Sequence, residues 1–236
     1  MNIMPSRRDA SLSVGSASTA TMPATLGGES VLLLADRALF WPRRRTLFVA
    51  DVHLGKAAAF RAGGVPVPRG ATANDLERLG ALLVRTAASR LVVLGDLLHA
   101  AAGRVPALDA AVRAWRLRHA EIELMLIRGN HDTRAGDPPP DWGVEVVAEP
   151  HLAAPFLLCH TPQQPPTGYA LCGHVHPGVR VGGEHDAVRL SCFVLGRRRA
   201  LLPAFGRLTG LALVTAGPGE QVVAIAGNAL FALPSA

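Results

Sequence analysis

The sequence predicts an α/β fold, and three observations carry that prediction. From Val31 onward, short apolar runs of strand length alternate with longer stretches in which apolar residues recur at helical spacing. After His176 the helical stretches stop and strand-like runs follow alone. Hydrophobic residues make up 49% of the 236 against 18% charged, which is enough apolar material for a real core and too much for a disordered chain.

Taken in order, residues 1–28 differ in kind from the rest. They are rich in Ser, Ala and Thr, carry Arg7 and Arg8, and lack the continuous apolar block of a secretory signal, so a disordered leader is expected there. A faint likeness to an organelle transit peptide stays open, with Met4 and Met22 as alternative starts. Strands are expected at Val31 to Leu34, Thr46 to Ala50, Arg90 to Leu94, Glu123 to Ile127, Val144 to Val147, Phe156 to Cys159 and Tyr169 to Cys172. Leu76, Leu79, Leu82 and Leu83 place one amphipathic helix within Ala71 to Ala88, and Leu108, Val112, Trp115 and Leu117 place another. Pro138 to Pro140 and Pro165-Pro166 break regular structure and mark loops. The late strands fall at Val188 to Val194, Ala200 to Leu202, Leu211 to Val214 and Val222 to Ile225. With no internal repeat and no second boundary, residues 29–236 read as a single domain.

Composition bounds the partners more loosely. The longest apolar runs fall well short of the roughly 20 residues of a membrane span, so no membrane is expected and the chain reads as soluble and cytoplasmic. Net charge is +6, and all but one of the 24 cationic side chains are arginine, the exception being Lys56. That skew fits either an arginine-favouring genome or an anionic partner, whose phosphate oxygens arginine forks match. Cys159, Cys172 and Cys192 form no CxxC pair and read as reduced, buried thiols.

The chemistry sits at the ends of the apolar runs. Five of them lead directly into polar clusters: Asp51-Val52-His53, Gly95-Asp96, Gly129-Asn130-His131-Asp132, His160, and Gly173-His174-Val175-His176. In open α/β sheets the carboxyl ends of parallel strands face one crevice, so all five clusters are expected at one rim. Residues i and i+2 of extended chain point the same way, which aims Asp51 with His53, and His174 with His176, into one cavity. The glycines before Asp96, Asn130 and His174 allow close backbone approach. Carboxylate, amide and imidazole without thiolate suit Mn2+, Fe or Zn2+ in a catalytic site, and seven candidate ligands are enough for a pair of ions placed to clamp a phosphoryl group.

This ordered set resembles the calcineurin-like metallophosphoesterases. The stretches ADVHLGKAAAFRAGGVPVPRG, LVVLGDLLHA, RGNHD, LCGHVHPGVR and CFVLGRRRALLPAFG further resemble the bacterial ligase-associated DNA damage response endonucleases, over roughly Gly28 to Gly217. The resemblance implies a four-layer α/β/β/α sandwich of two mixed sheets flanked by helices, where composition alone equally allows a three-layer α/β fold. It implies two divalent metal ions, Mn2+ first, with Asp51, His53, Asp96 and His176 on one and Asp96, Asn130, His160 and His174 on the other. His131 would protonate the leaving oxygen rather than bind metal. It implies DNA as the substrate of an endonuclease acting in repair beside a DNA ligase and a helicase-like protein, and it leaves the oligomeric state open.

Several residues keep two readings. His99 would either touch the substrate phosphate or hydrogen-bond a neighbouring ligand. Lys56 and Arg61 would either meet substrate phosphates, if a helix begins at Gly55, or lie on a solvated face. Asp132 is expected to orient a neighbour or cap the following turn. Arg43-Arg44-Arg45 read as a solvated turn, while Arg197-Arg198-Arg199 read equally as a turn or a nucleic-acid footprint. His119, His151 and His185 read as surface histidines. Two other functions compete. One is a phosphatase or phosphodiesterase for small nucleotides or other phosphoesters; its phosphoprotein branch is disfavoured by Leu97-Leu98-His99-Ala100 after the Gly-Asp pair. The other is a non-catalytic scaffold, which the full set of ligand positions disfavours.

Overall fold

The computed structural model describes residues 20–183 and 186–234. Its first sheet has seven strands in chain order: β1 (Thr21–Leu26), β2 (Glu29–Leu34), β3 (Ala38–Trp41), β4 (Thr46–Val49), β5 (Arg90–Leu94), β6 (Glu123–Ile127) and β7 (Val144–Val147). Tight turns join β1 to β4 as antiparallel neighbours. β4 to β7 run parallel, because each connection carries a helix that must cross back over the sheet. These helices are α1 (Lys56–Ala62), α2 (Ala71–Thr86), α3 (Pro106–Arg118) and α4 (Asn130–Ala135).

The second sheet holds β8 (His151–Ala153), β9 (Phe156–Cys159), β10 (Tyr169–Cys172), β11 (Pro177–Val181), β12 (Val188–Leu195), β13 (Arg199–Leu201), β14 (Ala212–Leu213), β15 (Gln221–Ala226) and β16 (Ala229–Ala232). Its order is β14-β11-β12-β13-β10-β9-β8, with β15 pairing β12 and β16. β9, β10 and β13 are parallel neighbours.

Three apolar layers line the faces of the two sheets, and the middle one joins them. On the outer face of the first sheet, Leu76, Leu79 and Leu82 of α2 and Leu108, Val112 and Trp115 of α3 pack on Leu47, Val49, Leu91, Val93 and Leu126. Between the sheets, Phe48, Val92, Met125 and Ile127 meet Phe156, Leu158, Leu171 and Phe193. The outer face of the second sheet carries the three free, buried cysteines with Val194 and Val222; partly buried Val175, Val179, Val214 and Ala216 cover them, and among the described residues no helix joins this layer. The expected pair of mixed sheets packed face to face with helices outside is thus what the chain adopts, but the helices form one layer on the first sheet, and among the described residues the second sheet carries no helix where the expected fourth layer would lie.

Two differences from the expectation have simple causes. The sheet begins at Thr21, inside the expected leader of residues 1–28. β1 is an edge strand that alternates exposed and half-buried residues and carries Pro23, so it lacks an apolar run that would mark it. Residues 1–19, with Arg7, Arg8 and Met4, lie outside the described residues, as does His185. β3, α1 and α4 are too short to show a period. No helix of the described residues is long and apolar enough to cross a membrane.

Candidate metal centre

The carboxyl ends of β4, β5, β6, β9 and β10 meet at one rim, and all five predicted clusters arrive there. Backbone bonds draw the loops together: the amides of Asp51 and His53 donate to the carbonyls of Gly95 (3.1 Å) and Asp96 (2.8 Å). The two sheets are tied across the gap by the His174 amide, which donates to Asp51 Oδ2 (2.9 Å). The glycines make this closeness possible. A Cβ on Gly95 would lie 2.7 Å from that of His160, and one on Gly129 only 2.5 Å from the Asp96 amide nitrogen.

Seven predicted side chains converge. Asp51, His53 and His176 bring their ligand atoms within 4.8 Å of one another, and so do Asp96, His160 and His174. His160 Nε2 lies 2.9 Å from Asn130 Oδ1, 3.5 Å from Asp96 Oδ1 and 3.0 Å from His174 Nδ1. His176 Nε2 lies 3.4 Å from both His53 Nε2 and Asp51 Oδ1, and His53 Nε2 lies 3.9 Å from Asp96 Oδ2. A third group, His53 with His99 and His131, also comes within reach of one point.

The donor set fits divalent cations. His160 Nδ1 sits 3.2 Å from the Leu94 carbonyl, which can only accept, so Nδ1 carries the hydrogen and Nε2 turns a lone pair toward Asn130, Asp96 and His174. A ligating histidine characteristically anchors its other ring nitrogen on a carbonyl in this way. Asp51 and Asp96 are 0% and 2% exposed, which is costly for carboxylates unless a positive charge sits between them. Burial pushes Asp96 above the ordinary carboxylate range, despite His160 and the His131 amide. Burial first, then Lys56, His176, His131 and His99, pushes the His53 imidazole down to about 2, leaving a neutral ring of the form that ligates metal.

The remaining predicted residues divide. His131 is held at both ends: its amide donates to Asp96 Oδ1 (2.9 Å), and its ring Nδ1 donates to the His99 carbonyl (2.7 Å). His99 stacks on the His131 ring at 4.9 Å and places Nδ1 3.4 Å from His53 Nδ1. Burial, then Lys56 and His131, pushes His99 down to about 4. Lys56 is half-buried, with its ammonium 5.8 Å from the Phe60 ring centre, and burial lowers it against the pull of Asp96 and Asp51. Arg61 is turned aside: its NH1 donates to the carbonyls of Val67 (3.2 Å) and Pro68 (3.4 Å). Asp132 is fully buried and accepts from the amides of Leu98 (2.8 Å) and Gly129 (2.9 Å), knitting two of the loops.

One residue escaped the sequence reading. Glu149, in the loop between β7 and β8, accepts from the amides of His160 (2.7 Å) and Thr161 (2.8 Å) and from the Thr161 hydroxyl (2.8 Å). No motif marks it, because it acts through the backbone of a strand end eleven residues away.

Among known proteins, the family model for calcineurin-like phosphoesterases matches residues 44–171, more than half the chain, from before Asp51 to beyond His160. The solved structure of Pseudomonas putida nuclease MPE is 42% identical, covers 90% of this chain and all of its own, and superposes with a TM-score of 0.80. Yfce, a phosphoesterase from E. coli, is 16% identical over 77% of this chain and 88% of its own, at a TM-score of 0.37 too loose to add to the argument. No curated protein matches. Family match, two-sheet sandwich and clustered metal-binding side chains together make this chain a member of the calcineurin-like phosphoesterase family, a metal-dependent hydrolase of phosphoester bonds.

Proposed function

We propose that the protein is a nuclease that hydrolyses phosphodiester bonds of DNA, cutting within the strand. The observation that carries this reading is its likeness to the P. putida nuclease at 42% identity over nine-tenths of the chain. In this reading Asp51, His53, Asp96 and His176 hold one ion, and Asp96, Asn130, His160 and His174 hold the other. Two divalent cations held there, Mn2+ before Fe or Zn2+, would supply a lowered pKa for the attacking water and positive charge for the phosphoryl oxygens. The chain does the rest. The carbonyl of His99 holds the hydrogen of His131 Nδ1, so Nε2 is the nitrogen that delivers a proton to the leaving oxygen. His99 braces His131 by stacking and His53 through Nδ1, which favours its supporting role over direct contact with substrate. Lys56, half-buried beside Phe60 and drawn electrostatically by Asp96 and Asp51, is assigned to a substrate phosphate. We place the activity in cytoplasmic DNA repair beside a DNA ligase and a helicase-like protein, on the sequence resemblance alone.

Covalently closed circular single-stranded DNA, incubated with the purified protein and Mn2+, tests the reading, because a circle has no ends. Wild type is expected to open the circle, and His131→Ala to lose at least a hundredfold in rate while keeping its metal content by elemental analysis. An intact circle, from a protein that still hydrolyses a small phosphodiester, would sink the endonuclease reading and move a small-phosphoester enzyme to first place.

A further inference from the structure

A cavity of about 510 Å3 opens at the turn between β12 and β13, lined by Gln164, Gly196, Arg197, Arg198, Arg199 and Glu220 among others. It lies at the far end of β10 from the metal centre. Arg199 pairs with Ala170, four residues before His174, a separation of about 13 Å at ~3.3 Å per residue.

The cavity is built and positively charged. The Tyr169 hydroxyl shares its one hydrogen between the carbonyls of Gly196 and Arg199, each at 2.9 Å, and the Gly196 amide donates to the Arg199 carbonyl (2.8 Å), fixing the turn. Three guanidinium groups face one carboxylate. Glu220 is already engaged, taking Arg199 NH2 on one oxygen and the Gly217 amide on the other, at 3.0 Å each. Arg198 reaches the carbonyls of Pro165 and Pro166, which bear no net charge to offset it. Arg197 is exposed at the rim. A surplus of forked donors around a space of this size matches a polyoxygen anion, phosphate above all.

We propose that this pocket holds a phosphate of the same nucleic-acid strand whose scissile phosphate lies at the metal centre. The proposal rests on the nuclease reading and extends it to a second anchoring point. The loop from His160 to Tyr169 runs from the metal centre to this turn, and its Gln164 lines the pocket, so a strand laid across the loop reaches both.

Arg197→Glu tests this, with melting temperature checked against wild type to confirm the fold. Kinetics are measured on a 30-nucleotide single strand and on bis(p-nitrophenyl) phosphate, which is too small to reach the pocket. The expected result is a KM about tenfold higher on the strand at 0.1 M salt, unchanged kcat, unchanged hydrolysis of the small diester, and a log(kcat/KM) against log[salt] slope shallower by about one. Unchanged KM and slope on the strand would overturn the second anchor. A mononucleotide that raises the melting temperature of wild type but not of Arg197→Glu, with strand KM unaltered, would overturn it in favour of a free-nucleotide site. A wild type that cleaves the small diester but not the strand would overturn the nuclease reading and this proposal with it.

Discussion

Five of the seven side chains proposed as ligands stand on left-handed backbone: φ is 53° at Asp51, 53° at His53, 54° at Asp96, 70° at His174 and 52° at His176. Such conformations cost of the order of 1–3 kcal/mol each in a non-glycine residue and persist where the surrounding structure enforces them. Here the enforcement comes from neighbours without side chains. Gly95→Ala adds a Cβ that runs into the His160 ring at a residue with φ of +80°. Gly64, at φ +82°, has no atom within 4 Å of such a Cβ, so Gly64→Ala carries the backbone strain alone. Gly64→Ala is expected to lose about 1 kcal/mol and keep its metal and activity, whereas Gly95→Ala loses more stability, most of its bound metal and at least tenfold in rate. Urea melts, metal analysis and diester hydrolysis distinguish the two; equal behaviour would mean the close approach of Gly95 to His160 has no bearing on the site. At this scale the seven polar residues were legible because each sits next to the end of an apolar run. The left-handed angles and the support from Glu149 were not, since both depend on chains brought together only in the fold.

Among the elements, legibility followed how sharply each apolar run is bounded rather than burial, for β7 has no fully buried residue and was found, while β3 is buried throughout and was not. β5, β6, β7, β9 and β10 begin and end where the sequence predicted, because their apolar runs are bounded by polar or turn residues. Both long helices were found through their leucine and tryptophan spacing, and the weakly patterned edges, β1 and β8, were not. α3 shows how such an element is pinned in ways a period cannot reveal. Its Asp109 accepts from Arg113 Nε (2.7 Å) and from Trp142 Nε1 (2.8 Å) of a loop 33 residues on. The Arg113 bond, then the Trp142 bond, hold the Asp109 carboxyl below its ordinary value of 3.8. A depressed carboxylate stabilises the fold above its unfolded pKa, and that stabilisation is lost as pH falls through the folded value. Asp109→Asn is therefore expected to destabilise the protein at pH 7 by an amount that shrinks steadily below about pH 4, as wild type loses the same charge. Urea midpoints for both proteins at pH 7, 4 and 3, read by Trp fluorescence, check this, and a gap that stays constant with pH would remove the charged bonds of Asp109 from the account.

Across the whole molecule the proposed ligands divide between the sheets. Asp51, His53, Asp96 and Asn130 follow strands of the first, and His160, His174 and His176 follow strands of the second. An ion shared in this way joins two layers that otherwise meet through the apolar contacts of the middle core and a few cross-sheet bonds, such as His174 to Asp51. It would also offset the two buried carboxylates Asp51 and Asp96, so removal of metal is expected to penalise the folded state while leaving the unfolded chain nearly unaffected. A ligand present at a hundred times its Kd adds about 2.7 kcal/mol to folding. For a chain of this size each kcal/mol moves Tm by roughly 2–4 °C, so stripping one such ion should lower Tm by about 5–10 °C, and stripping both by more. Differential scanning fluorimetry of the Mn2+-loaded protein, before and after chelation and again after Mn2+ is restored, measures the shift. Asp96→Asn, which weakens both proposed ion sites at once, should already melt near the chelated value and respond little to Mn2+. Full retention of Tm by a chelated wild type shown to be metal-free would mean that the apolar core alone joins the sheets and that the metal centre contributes to chemistry without contributing to the fold.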